Sequence, residues 1–308
     1  MSSTSPAREA GAGGRVATGW KAELELGFAV VAGKTALVRN RHRGPLAVQR
    51  AFYPEPGGLS HVYVLHPPGG LVAGDQLSLR VEVAEDAHAL ITTPAATKFY
   101  RSEGLVAEQK QLLRVSSGAS LEWLPQETIL FGDAQVRTVT RVELEPGASF
   151  FGWDMVCLGR AASGDHWTFG RLQQSFEIWQ GARPLWIERS DFDAAAPVRQ
   201  APWGLAGRRV FGTFVCTGDN PRAVAAVRAA VDTDENRELF AVSQMRAAIV
   251  CRYLGSSTER VRQVFAQAWG ALRPLMLGRP ASAPRIRRRC AAGSRPRGRR
   301  APRARHSR

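Results

Sequence analysis

HVYVLHPPGGLVAGDQLSLRVEV, residues 61–83, shows most clearly which class of fold this chain adopts. Two runs rich in β-branched and aromatic residues, HVYVL and LSLRVEV, flank a loop with two prolines, three glycines and one aspartate. Short runs of this kind, bounded by turn residues, are typical of β-strands. Because no helical spacing lies between them, the stretch predicts two strands joined by a turn-rich loop.

The same pattern recurs along most of the chain. From residue 20 to about residue 214, segments such as KAELELGFAVV, ASLEWLPQETILF and QVRTVTRVELE are separated by turn residues at short intervals. Many short strands without helices between them argue against a βαβ fold. The sequence predicts a mainly β protein, built either as a sandwich or as a layered, coil-like multi-strand β architecture.

Two α-helices are predicted near the C-terminus, with a β-hairpin between them. In NPRAVAAVRAAVD, Asn220 is a candidate N-cap and Pro221 occupies the first helical position. In SSTERVRQVFAQAWGALRPLML, Ser256 and Glu259 have the spacing of a capping box. Apolar residues recur there at helical steps, at positions 261, 264, 265, 268, 269 and 272. We interpret this stripe as packing against the sheet, with a partner-binding face as the alternative.

Composition indicates a globular protein with a substantial core. The chain has 308 residues, 44% of them hydrophobic, and no apolar run long enough for a transmembrane helix. Residues 1–19 are small, polar and glycine-rich and lack the apolar segment of a signal peptide, so they predict a flexible tail and a cytoplasmic protein. The four cysteines are scattered, without a C-x-x-C pair, which favours neither a disulfide framework nor a closed zinc site.

The net charge of +15 is concentrated at the C-terminus. Residues 287–308 contain ten arginines and no acidic residue, so they supply +10 and the rest of the chain only +5. A segment with this composition buries nothing, which predicts disorder. One interpretation is an arm for nucleic acid or an acidic partner. The interpretation that we favour is an unselected tail, whose Arg, Ala, Gly and Pro content resembles a shifted reading frame.

Familiar catalytic motifs are missing from the sequence. The GKT tripeptide at residues 33–35 lacks the first glycine of a phosphate-binding loop, because Phe28 stands there and Gly27 is one place out. No G-x-S-x-G or H-E-x-x-H pattern occurs. The six histidines are dispersed, and we interpret His61 and His66 as structural residues on opposite faces of a strand. A hydrolase with a dispersed site finds no positive support.

The loop at residues 66–77 admits three interpretations. Pro68 and Gly69 favour a type II turn, and Gly74 and Asp75 favour a second turn with a carboxylate at its tip. A phosphate ligand is disfavoured by that negative charge, whereas a divalent cation is favoured by it. A purely structural turn is the third interpretation.

Five segments in order carry a resemblance to a known family. They are LHPPGGLVAGD (65–75), ITTPAATKFYRS (91–102), LEWLPQETILF (121–131), GWDMVCLGR (152–160) and AWGALRPLMLGRPASAPRI (268–286). Together they resemble the urease accessory protein UreD family, also called UreH, over about residues 20–286. The resemblance implies one UreD-like β-rich domain over 20–286, between a flexible tail at 1–19 and a disordered arginine-rich tail at 287–308. It also implies a β-rich coil-like fold with two helices.

The resemblance further implies a protein that is not an enzyme. It implies a urease maturation factor that binds the urease apoprotein and UreF, recruits UreG through UreF, and delivers nickel through an internal tunnel. No cofactor is expected to be tightly bound, since nickel is in transit. A basic-tailed nucleic-acid-binding protein is the alternative, although the small charge of residues 1–286 makes nucleic acid an unfavoured partner; a membrane partner is not expected.

Matching the family motifs onto this chain gives three candidate nickel-path residues. Asp75 ends the P-P-G-G-x-x-x-G-D segment, Asp154 lies in the W-D-x-x-C-L-G-R segment, and Glu177 in FEIW matches an acidic position downstream. Carboxylates suit a passing nickel ion better than a thiolate cluster, which would hold it firmly. The alternatives are a turn cap for Asp75, a buried polar network for Asp154 and solvent exposure for Glu177. Cys157 is more consistent with a small buried thiol.

Two further segments suggest contacts with partners. In TKFYRS, Lys98, Tyr100 and Arg101 are candidates for a structural or interface role. At the C-terminus, the family closes with a tryptophan shortly after Pro-Arg-Ile, whereas here Ile286 leads into the arginine-rich tail. Since the resemblance implies that this region lies at the UreF contact, the tail is expected to interfere with docking.

Overall fold

Two stacked β-sheets and two C-terminal α-helices form the fold in a computed structural model. It describes residues 19–160, 163–232, 238–282 and 284. The expected tails at 1–19 and 287–308 therefore lie almost entirely outside the described residues. Within these ranges, no helix is both long and apolar enough to cross a membrane. The prediction of a mainly β protein with two late helices is confirmed.

Most of the described chain is strand. The strands are β1 (Lys21–Val31), β2 (Lys34–Arg43), β3 (Ala47–Val48), β4 (Ser60–Leu65), β5 (Gln76–Val83), β6 (His88–Thr92), β7 (Thr97–Phe99), β8 (Ala107–Val115), β9 (Ser120–Trp123), β10 (Thr128–Leu130), β11 (Gln135–Leu144), β12 (Ser149–Leu158), β13 (Arg171–Gln180), β14 (Arg183–Asp193), β15 (Val210–Thr217), β16 (Leu239–Met245) and β17 (Ala248–Gly255). The helices are α1 (Ala223–Ala230) and α2 (Thr258–Leu277). A 3-10 turn covers Pro197–Arg199.

The chain winds as a coil, and from β4 to β13 its longer strands belong alternately to the two sheets. One sheet has the order β14-β13-β11-β8-β5-β1-β2, and the other runs β16-β17-β15-β12-β9-β6-β4-β3. Strands β5, β8 and β11 are parallel neighbours in the first sheet, and β6, β9 and β12 are parallel neighbours in the second. Each turn of the chain thus adds one strand to the main path of each sheet, and the short strands β7 and β10 pair with each other beside β12. Of the two predicted architectures, the coil is the observed one.

Side chains along β12 alternate between two cores. Phe150 and Val156 pack in the core between the sheets. Trp153 and Met155 pack in a second core, which α1 and α2 cover. The period of two along a strand therefore places Asp154 on the face toward the space between the sheets. The alternation along β12 thus places the Asp154 carboxylate at the candidate site.

Helix α2 buries the predicted apolar stripe, but it begins one residue later than the sequence indicates. Ser257 is the N-cap, and its hydroxyl accepts a hydrogen bond from the Arg260 backbone N–H at 3.3 Å. The prediction of a Ser256–Glu259 capping box is wrong. Either of the adjacent serines can serve as N-cap, because each can accept a hydrogen bond from the backbone N–H three residues further on. The sequence pattern alone therefore did not distinguish Ser256 from Ser257.

The start of α1 also differs from the prediction. Asn220 accepts a hydrogen bond from the Arg222 backbone N–H, and Pro221 and Arg222 form a turn before the helix begins at Ala223. Asn220 therefore stabilises a turn just before the helix and is not its N-cap, and Pro221 is not the first helical residue.

A buried charge cluster fastens α2 to the sheet. The Arg273 guanidinium lies 2.9 Å from Glu122 on β9 and 2.6 Å from Glu55. Trp269 donates to Glu122 at 2.6 Å, and His61 lies 2.6 Å from Glu55. Burial raises the pKa of Glu122 despite its arginine. At Glu55, the effect of burial is outweighed by His61 and Arg273, and the pKa is lowered.

The loop that follows β4 consists of two tight turns, but the first has Pro67 and Pro68 as its central residues, one position earlier than the predicted Pro68–Gly69 turn. Gly69 has φ +79°, and its N–H donates to the His66 carbonyl at 2.9 Å. Gly74 has φ +81° and is followed by Asp75, whose N–H donates to the Val72 carbonyl at 3.1 Å. A side chain at Gly70 would collide with the Tyr100 ring. In the GKT tripeptide, Gly33 lies in the turn of the β1–β2 hairpin, and Lys34 and Thr35 begin β2.

Candidate functional site

Asp154 lines two cavities in the interior of the protein. The first, of about 110 Å³, lies between the sheets and is lined by residues from both; because it is the less open of the two, we call it the enclosed cavity. The second, of about 350 Å³, is more open and lies where β13 and β14 diverge from β15, β16 and β17. The Asp154 side chain contributes to the wall of each.

The wall of the first cavity combines apolar side chains, among them Leu46, Leu77 and Trp123, with neutral polar groups. Its lining includes Thr97, Thr128, Thr138, Thr140, Gln111 and Gln126. Hydroxyl and amide oxygens bind water and carry no charge, so this polar part of the wall can hold a hydrated ion, while the apolar part offers it no ligand.

Asp154 has one side-chain partner. Its Oδ2 accepts a hydrogen bond from Gln174 Nε2 at 2.7 Å, and none of the described residues forms an ion pair with it. Burial raises the pKa of Asp154 to about 6; the Gln174 hydrogen bond opposes this effect and the Glu188 carboxylate adds to it. A carboxylate that is poorly solvated and has no cation beside it is a ligand available to a metal ion.

A second carboxylate lies at the open cavity and was not among the predicted site residues. Glu188 on β14 lines the cavity of about 350 Å³ and accepts a hydrogen bond from Arg252 at 3.2 Å. The segment RPLWIERSDF alternates, but the sequence alone does not tell which of its two faces lies toward the interior. That assignment requires knowing that β14 pairs with β13 at the edge of the sheet.

Asp75 holds a turn together. Its carboxylate is buried and accepts hydrogen bonds from the Trp20 backbone N–H at 2.8 Å and the Val72 backbone N–H at 2.9 Å. It therefore joins the start of β1 to the loop before β5. The structure places it near His66 rather than beside Asp154.

Glu177 lies on the outer face of the first sheet. Its neighbours Phe176 and Ile178 pack in the core between the sheets, so period-two alternation directs Glu177 away from the cavities. Its carboxylate lies 2.7 Å from Arg189 and also accepts hydrogen bonds from Trp179 and Ser175. The pKa of Glu177 is lowered because these hydrogen bonds outweigh partial burial.

Cys157 is a buried thiol on the helix side of β12. Its sulfur donates to the Gly159 carbonyl, and burial raises its pKa to about 11. The thiol form therefore predominates at neutral pH, and it is a poor metal ligand. Within the described residues, no three His, Cys, Asp or Glu side chains gather closely enough to hold a metal ion.

Fold and site together define a coiled β protein with a carboxylate, Asp154, that lines two cavities of mixed polar and apolar character. Comparison with known proteins shows its family. The family model for the UreD urease accessory protein matches residues 21–288. The chain belongs to the UreD family of urease accessory proteins.

Relatives from several bacteria are similar over nearly their whole length. Urease accessory protein UreD from Dechloromonas aromatica is 44% identical over 272 residues, which cover 87% of this chain and 94% of the relative. The protein of the same name from Alkalilimnicola ehrlichii is 45% identical, with 88% and 92% covered. Urease accessory protein UreD 2 from Brucella anthropi is 43% identical, with 88% and 99% covered.

Proposed function

We propose that this protein is a non-catalytic urease maturation factor that works in the cytoplasm. It binds the urease apoprotein and UreF, recruits UreG through UreF, and passes nickel to urease through its interior. Family membership and the names of the relatives support a role in urease maturation. The partners and the nickel route go beyond those names and are inferred.

The position of Asp154 is the observation that carries the nickel route. It lines the enclosed cavity and the open one, and its carboxylate receives a single side-chain hydrogen bond. An ion that moves from one cavity to the other would pass this carboxylate.

The chemistry of the wall fits transfer rather than storage. Nickel held by one carboxylate and water exchanges readily, whereas a ring of thiolates or imidazoles would retain it. Glu188 at the open cavity is paired with Arg252, so it would offer a second carboxylate to an incoming ion only when that pair opens.

Asp75 and Glu177 remain predictions as nickel-path residues. Each has its oxygens occupied, Asp75 by two backbone N–H groups and Glu177 by Arg189 and its neighbours. A nickel role for either requires that these bonds open. If Asp75 has that role, Asp75→Ala lowers urease activation under conditions where the fold is intact; unchanged activation removes Asp75 from the path.

Reconstituted activation of urease apoprotein with UreF, UreG, nickel and GTP tests the proposal. Asp154→Asn keeps the size of the side chain and the Gln174 hydrogen bond but removes the charge, and we expect activation to fall severalfold with UreF pull-down unchanged. Asp191→Asn is the matched control, because Asp191 pairs with Arg171 on the exposed outer face. Full urease activation by Asp154→Asn would contradict the nickel route. Failure of the wild-type chain to capture UreF and urease apoprotein in pull-down would contradict the proposed partners.

A further inference from the structure

His66 is the histidine that lines the same enclosed cavity as Asp154. It follows directly after β4, where the first turn of the loop begins, and its carbonyl accepts the hydrogen bond that closes that turn. The backbone of His66 is thus fixed while its side chain is half-buried at the cavity wall.

The His66 imidazole is uncommitted among the described side chains. No described residue forms a hydrogen bond or ion pair with its ring, whereas His61 lies 2.6 Å from Glu55 and His88 lies 2.9 Å from Ser120. Burial lowers the pKa of His66, and the nearby Asp75 carboxylate only partly opposes this effect. The ring is therefore neutral at physiological pH and has a lone pair to offer.

His66 and Asp154 lie far apart along the wall. In the second sheet, β12 is separated from β4 by β9 and β6. Three strand spacings amount to roughly 14 Å. One ion cannot bind both side chains at that separation, so they would act in succession.

We propose that His66 binds a divalent transition-metal ion, nickel in particular, at a second place in the enclosed cavity. The inference rests on the proposed function and adds an imidazole donor to a route that otherwise offers oxygen atoms. Imidazole nitrogen is a preferred ligand of nickel, and threonine and glutamine oxygens of the wall can support the remaining water ligands. The Asp75 carboxylate, although held by backbone N–H groups, adds favourable negative charge nearby.

The one cationic side chain among the described residues of this cavity wall does not oppose the binding. Lys110 is half-exposed, and its ammonium lies 2.7 Å from Glu108. This pairing removes most of the repulsion that an isolated ammonium would exert on a metal ion.

Carbethoxylation of histidines by diethyl pyrocarbonate, mapped by mass spectrometry on the full chain, tests the proposal. The reagent attacks neutral imidazole nitrogen, so nickel bound at His66 will slow modification there. We expect Ni²⁺ to protect His66 and leave the rate at His88 unchanged, and Mg²⁺, which prefers oxygen ligands, to protect neither. Modification of His66 at the same rate with and without Ni²⁺ would overturn the proposal.

The same measurement on Asp154→Asn separates this inference from the proposed function. Because the two side chains are far apart, Ni²⁺ should still protect His66 in that variant. If His66 is unprotected while Asp154→Asn loses urease activation, the His66 site is wrong and the nickel route stands. If His66 is protected while Asp154→Asn activates urease fully, His66 binds nickel but the route past Asp154 is wrong.

Discussion

At the scale of single residues, Asp154 is the least expected feature of the interior. Period-two alternation along β12 directs it into the space between the sheets, where an aliphatic side chain would pack at lower cost. Burial raises its pKa to about 6, so its ionised form destabilises the fold at neutral pH. Charged groups retained at such a cost are often functional.

This cost gives a stability prediction for Asp154→Asn. The folded pKa of about 6 exceeds the ordinary aspartate pKa of 3.8, so the folded state binds more protons than the unfolded state between these values. The contribution of Asp154 to stability therefore decreases as pH rises from about 4 to 6, and its full penalty is present above pH 6. Asp154→Asn should be more stable than wild type at pH 8 by up to about 2–3 kcal/mol, and the difference should vanish near pH 4.

Urea denaturation at pH 8 and at low pH measures this difference. Asp191→Asn, at an exposed pair with Arg171, should change the free energy of unfolding by less than about 1 kcal/mol and provides the control. A less stable Asp154→Asn at pH 8 would mean that the carboxylate is solvated or paired, contrary to our description.

Much of the residue-level placement was readable from the sequence, though not all of it. The alternation in FEIW, with Phe176 and Ile178 inward, already indicates that Glu177 faces outward. Glu122 could not be placed in this way, because Leu121 and Trp123 on one face and Glu122 on the other are all buried. The second face of β9 is covered by α2, which is remote in sequence and whose position no local pattern predicts.

At the scale of elements, Arg273 fixes α2 to the sheet. The sequence does hold a signal for it, since Arg273 continues the helical spacing of Trp269 into the buried stripe. The partners Glu55 and Glu122 come from distant segments and only the fold reveals them. The guanidinium neutralises two carboxylates whose side chains are buried.

Removing this charge should destabilise the protein strongly. We expect Arg273→Met to lower the free energy of unfolding by about 3–5 kcal/mol, because both carboxylates are left buried without a cation. Arg114→Met, which breaks an exposed pair with Glu143, should cost less than about 1 kcal/mol. Equal losses for the two variants in chemical denaturation would show that the cluster contributes no more than a surface pair.

At the scale of the whole molecule, strand patterns predicted the class of fold but not its winding. Periodicity identifies strands and their buried faces, and these are similar in a sandwich and in a coil. The difference lies in which strands are neighbours. Here β5 and β8, and then β8 and β11, are parallel neighbours although another strand of the opposite sheet separates each pair in sequence. Local sequence patterns do not predict which strands pair in this way.

The arginine-rich C-terminus gives a prediction for the whole chain. Residues 287–308 lie outside the described residues and hold +10 of the net charge of +15. A chain that ends at Ile286 should fold with the same stability and either bind UreF more tightly or remain soluble at higher concentration. Equal UreF affinity and equal solubility with and without residues 287–308 would contradict an interfering tail.

The most direct test of an interior route is to fill the enclosed cavity with a larger side chain and measure how much nickel the matured urease contains. Thr140→Phe places a ring in the enclosed cavity, and Val139→Phe places the same ring on the outer face of β11. Both variants are compared at a temperature where denaturation curves show them folded. We predict that urease matured with Thr140→Phe contains little nickel while Val139→Phe delivers the normal amount. Normal nickel delivery by a folded Thr140→Phe chain would contradict passage through the interior.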